Sequence, residues 1–140
     1  MPTKSTLQRA QLDLREGKSP STAAGEFVHE EIEHVRQGKH GARSPQQAIA
    51  IGLSEARRAG VPLKPPKKGT AKESTRRSAA RAYKKGQSQP AAKSSGPSRA
   101  SRKRSQKSEA VLQREPKSTA SHNALSKQAR SAAHRRRKAA

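Results

Sequence analysis

Three groups of residues in this 140-residue chain have the types that chemistry needs. The first is His29-Glu30-Glu31-Ile32-Glu33-His34, two imidazoles around three acids, close to the HExxH pattern of zinc proteases. That pattern works because histidines four apart share one helix face, with the glutamate between them as general base. Here the histidines are five apart, which turns them about 140° from one another on an α-helix, so they cannot close on one ion in that geometry. A solvated helix face is the expectation, with no metal. The second group is Glu26, Glu30 and Glu33, aligned along one helix face. Paired carboxylates do acid–base work only where an apolar pocket raises one pKa and a nucleophile stands nearby. Neither is supplied here, so the set reads as an exposed acidic face that could also dock a cationic segment. No catalytic constellation survives. The expectation is a non-enzymatic protein with no cofactor and no small-molecule substrate.

The third group is cationic. In the loop Gly38-Lys39-His40-Gly41-Ala42-Arg43-Ser44, Lys39 and Arg43 flank a helix start. The free N–H groups and positive dipole end of such a start favour an anion. The loop contains a GxxG element between two helices, as RNA-binding KH domains do, but the strands of that fold have no counterpart. Further cations form clusters: Arg57-Arg58, Arg76-Arg77 with Arg81, Lys84-Lys85, Arg102-Lys103-Arg104 and Arg135-Arg136-Arg137-Lys138. Cations spaced by Ser, Ala and Gly suit a polyanion, because each neutralised phosphate releases condensed counterions. Stacking platforms for single strands are missing, since Phe27 and Tyr83 are the only aromatic rings. A base-reading helix has thin support in Gln46, Gln47, Arg57 and Arg58, and the seven-residue loop is long for a helix-turn-helix.

The elements that must position these residues are best punctuated around Ser44. Ser44 reads as an N-cap, with Pro45 at the first helical position and Gln47 completing a capping box. Arg57-Arg58-Ala59-Gly60 closes the helix, and Pro62 prevents its resumption. Ile49, Leu53 and Ala56 at i, i+4 and i+7 predict a helix over 45–59. A second helix over 20–37 places Ala24, Val28, Ile32 and Val35 on one face, with Phe27 beside them, and Gly38 ends it. A thinner pattern of Leu7, Ala10, Leu12 and Leu14 predicts a helix over about 5–16. Helices 20–37 and 45–59 should form an antiparallel hairpin whose core is Phe27, Val28, Ile32, Val35, Ile49, Leu53 and Leu63. So small a core leaves room for self-association through the helical head.

Beyond Leu63 the composition changes. Residues 1–63 hold nine Lys/Arg and seven Asp/Glu, whereas 64–140 hold 23 Lys/Arg and three acids. The whole chain carries +22, with 29% hydrophobic and 1% aromatic residues. High charge with low hydrophobicity predicts a chain that cannot order itself throughout. The expected fold class is mostly α with extensive disorder: a small N-terminal helical hairpin (1–63) followed by a basic low-complexity tail (64–140). In that tail, 71–85, 109–115 and 121–137 form helices transiently, and 87–108 is disordered. Cysteine is absent, which suits a reducing compartment, and no apolar run reaches the length of a membrane span.

The stretch HVRQGKHGARSPQQAIAIGLSEARRAGVPL, above all Gln47–Gly60, resembles an uncharacterised family of small, basic bacterial proteins sharing a QAIAIGLSEARRAG-type core. Some members carry DNA-binding or plasmid-stabilisation names. The closing ALSKQARSAAHRRRKAA is similar to the Ala/Arg/Lys ends of such proteins. The resemblance implies a bacterial cytoplasmic location. With the charge, it leads to the expectation of a nucleoid-associated, largely sequence-independent binder of double-stranded DNA. The alternatives are an RNA- or ribosome-associated protein, and an interaction module of a plasmid-maintenance or stress system with a basic tether.

Overall fold

The computed structural model describes residues 2–88 and 99–139. Among them are six helices: α1 (Lys4–Arg15), α2 (Pro20–Arg36), α3 (Pro45–Arg58), α4 (Glu73–Gln87), α5 (Arg99–Arg114) and α6 (His122–Ala139). A single 3-10 turn, Ser118–Ala120, precedes α6. No helix is long and apolar enough to cross a membrane among the described residues.

The helix ends follow the local chemistry. Thr3 Oγ1 accepts from Thr6 N at the start of α1, Ser19 Oγ from Thr22 N at the start of α2, and Ser44 Oγ from Gln47 N at the start of α3. The return arm of the Ser44 box lands one residue early: Gln47 Oε1 accepts from Arg43 N at 2.6 Å. α1, α2 and α3 end in one manner, at Gly17, Gly38 and Gly60 with φ of +77°, +77° and +97°. At Gly60 the amide donates to Arg57 O while Val61 N reaches back to Ala56 O, which satisfies carbonyls the helix end leaves free.

The expectation of a disordered tail is overturned. The chain is helical on both sides of Leu63, and residues 99–108 belong to the continuous helix α5 instead of a disordered segment. The rest of the disorder expected over 87–108 falls on residues 89–98, outside the described residues. The error has a physical source. Composition registers packing only through large apolar side chains, but α4 meets its neighbours through small residues. Ala79 is buried, and a Cβ on Gly86 would collide with the carbonyl of Arg57. Gly86 therefore lies inside α4 at a close approach of two backbones and does not end the helix.

The chain divides into two compact units. The first comprises Met1–Glu31 and Ala50–Lys93. Its core is Ala10, Ala23, Ala24, Phe27, Ala56 and Val61, with Leu7, Leu14, Leu53 and Leu63 packed against it. Phe27 is fully buried and contributes most, on the order of 1.5–3 kcal/mol. The alanines let helices come close, and Gly52 lets α3 rest on the backbone of α2 at Phe27 and Val28. Glu30 ties in α1, because its two carboxylate oxygens accept from Thr3 N at 2.9 and 3.2 Å.

The second unit comprises Ile32–Ile49 and Ser94–Ala140. Its core is Val35, Ala42, Ala48 and Ala120, flanked by Ile32. The single hairpin core expected from the apolar pattern is therefore two clusters. The buried positions of α2 run through Ala23, Ala24, Phe27, Glu30, Glu31 and Val35, while Val28 and Ile32 are half-buried.

Candidate nucleic-acid interface

In the second unit the loop 38–44 is a docked segment. Gly41 N donates to Leu112 O at 2.8 Å, Ala42 N to Pro116 O at 3.1 Å, and Thr119 Oγ1 to Ala42 O at 2.9 Å. Gly41 is needed there, because a Cβ would collide with the carbonyl of Glu115. Two loop amides are thus committed to the end of α5 and the residues after it, and Ser44 supplies a side-chain cap to α3. What the loop offers an anion is its side chains. Lys39 and Arg43 are exposed, and Arg43 Nε lies 3.7 Å from Glu115 Oε1. Lys117 joins them, with its side chain lying over Gly38. Sequence reasoning missed Lys117, since nothing in its flanking residues marks it as a neighbour of Gly38.

α5 and α6 carry the densest cations. Arg102, Lys103, Arg104 and Lys107 on α5 are exposed, as are Lys127, Arg130 and Arg135, Arg136, Arg137 and Lys138 on α6. α6 is held near its start, where Gln46 Nε2 donates to Gln128 Oε1 and Ala124, Leu125 and Ser126 are half-buried. Arg36 Nε donates to Ala120 O at 3.0 Å just before it. The second unit as a whole contains sixteen Lys/Arg and three acids.

The cations of the first unit are in different circumstances. On α4, Arg76 grips Glu73 through Nε and Nη2 at 2.9 and 2.6 Å, and Arg77 Nε adds a third contact at 3.2 Å. The Arg76 guanidinium beside Glu73 holds that carboxyl below the usual carboxylate range. Arg81, Lys84 and Lys85 are exposed. Arg58 is exposed, with Nε donating to Ser54 O at 3.2 Å. Arg57 is not on the surface. It is 7% exposed, its Nε donates to Leu63 O at 3.1 Å, and burial pushes its guanidinium below the ordinary arginine value.

The acidic residues of α2 are used locally. Glu26 faces Arg9 at 3.8 Å, Glu30 takes Thr3 N, and Glu33 pairs with Arg36 at 2.9 Å. Glu30, expected on an exposed acidic face, and Glu31, expected on a solvated one, are buried, at 9% and 3% exposure. His34 stands edge-on to His40 with ring centroids 6.3 Å apart. That partnership was hidden because the sequence pattern paired His34 with His29 along the helix.

No curated protein and no solved structure matches the chain. Residues 17–69, which hold α2, the docked loop and α3, are similar to a family of unknown function, DUF6496.

Proposed function

We propose that the protein is a non-enzymatic binder of double-stranded DNA that neutralises backbone phosphates with cations presented on helices and reads little sequence. The observation that carries this reading is the exposure of the cations of α5 and α6 in a unit with sixteen Lys/Arg and three acids. Far more positive charge is displayed than solubility needs, and helices fix its spacing. The exposed positions are dominated by Lys, Arg, Ser and Ala, which suit phosphate contacts better than base edges. A bacterial cytoplasmic, nucleoid-associated role follows from this reading.

The test is a titration of short duplexes of different sequence at several salt concentrations, with an RNA duplex of equal length as a second arm. If about 6–10 cations engage phosphates, log K against log salt has a slope of about −5 to −9 and hardly depends on DNA sequence. A shallow slope, or a strong preference for one sequence, sinks the reading. Tighter binding of the RNA duplex at matched salt transfers it to the RNA-associated alternative.

A further inference from the structure

We infer that the cleft walled by the end of α3 and the start of α4 binds a terminal phosphate group, with Arg57 as its principal ligand. This goes beyond the duplex reading and does not rest on it. It also departs from the sequence-based expectation that the protein takes no small molecule.

The cleft belongs to the first unit and has a volume of about 360 Å³. Arg57 lines it and is more than nine-tenths buried. Among the described residues the guanidinium has one hydrogen bond, from Nε to Leu63 O, and no carboxylate partner. Its Nη atoms are not among the buried side-chain atoms that lack a partner, so the charged end keeps access to solvent while the rest of the residue is covered. A largely shielded guanidinium with no counter-charge is a favourable partner for an anion. With Nε engaged, the two Nη groups are the donors left for the cleft, a fork suited to two oxygens of one anion.

The opposite wall supplies independent support. Ser74 and Thr75 line the cleft from the first turn of α4, and Lys72 before them provides no side-chain cap. The amides and dipole at such a helix start favour an anion. Glu73, in the same turn, does not line the cleft and is engaged by Arg76 and Arg77. Ser54 and Ser78 are the other hydroxyl-bearing residues of a lining whose surface is mostly apolar. A guanidinium, four hydroxyl-bearing residues and a helix start gather more potential donors around the cleft than the two oxygens of a carboxylate can use. The three terminal oxygens of a phosphate monoester match them better. Leu53 and Pro66 give the rest of the cleft an apolar side that accommodates a small group on the ester oxygen.

A small monoester carries such a terminal phosphate, whereas a nucleic-acid backbone offers diesters with two free oxygens, and the test separates the two. Isotope-labelled full-length protein is titrated at constant ionic strength with inorganic phosphate, with phenyl phosphate and with a short DNA duplex. The amide signals of Ser54, Ser74, Thr75 and Ser78 are followed. Saturable shifts in this cleft are expected with the first two probes. Arg57→Gln should weaken them tenfold or more, and Arg15→Gln, which removes an exposed charge from α1, should leave them unchanged. Since Arg57→Gln also disturbs the contact to Leu63, a second variant is needed. Ser78→Leu fills the cleft from an exposed position and should abolish saturation with helix content intact. Shifts that never saturate and spread over the cations of α5 and α6 overturn the proposal. So do saturating shifts that survive Ser78→Leu, or a cleft that responds only to the duplex.

Discussion

Glu31 lies on the buried line of α2 between Phe27 and Val35, where the apolar pattern of the sequence favours Val28 and Ile32. A pattern search assigns burial by side-chain polarity, and a buried carboxylate on the line shifts the apparent face by one residue. Capping residues are easier to read, because a cap is a local event. Ser44, Gln47 and Gly60 act within four residues of their own positions, and their roles are visible in the sequence alone. Gly52, by contrast, sits inside the recognisable run and gives no sign of its role. A Cβ built there would stand 2.7 Å from Val28 Cα, a backbone atom that cannot swing aside. Helix propensity alone says that Gly52→Ala stabilises α3 by about 1 kcal/mol. The close approach says the reverse, a loss of about 1–3 kcal/mol from forcing α2 and α3 apart. The sign of the change in urea midpoint decides between them, and a stabilised variant would remove the close approach from the account.

α4 and the segment behind α5 show at the scale of elements why the disorder expectation failed. α4 has no stripe of large apolar residues, and its face is recognisable only when the partner is known: Ala79 is covered, Gly86 meets the Arg57 carbonyl, and Gln87 Nε2 donates to Gly60 O at 3.1 Å. Contacts of this type depend on absence of bulk, which composition counts as lack of a core. The loop 38–44 was read as a connection with cations on it, and its docking depends on Leu112, Pro116 and Thr119, far away in sequence. Gly41→Ala tests that docking. The added methyl cannot coexist with the Glu115 carbonyl, so the amide of Ala42 should lose its bond to Pro116 O and exchange its hydrogen faster, while amides in the middle of α1 keep their protection. Unchanged exchange at Ala42 would show that the loop does not depend on this contact.

For the whole molecule, the charge asymmetry was legible and its arrangement was not. Counting residues separates a near-neutral first part from a basic remainder at Leu63, yet both compact units draw on both sides of that point. A disordered polycation and a set of cationic helices have the same composition and bind duplexes differently. A disordered tail adapts every cation to some phosphate, so removing a few changes little beyond their share of the charge. Helices hold fixed arrays, so clusters should differ in how much they contribute. Arg135, Arg136, Arg137 and Lys138 are exposed at the end of α6, whereas Arg76 and Arg77 on α4 already have Glu73 as a partner. Replacing the four α6 cations by Gln should reduce the magnitude of the salt slope by about 3–4 if all of them meet phosphate. Replacing Arg76 and Arg77 should reduce it by well under the ~2 that two free cations would give, because Glu73 is released as they are removed. The comparison is made on the full-length protein against one duplex, with helix content checked for each variant. Slopes that fall in simple proportion to the number of cations removed, whichever cluster they come from, would mean that the helices do not organise the charge at all.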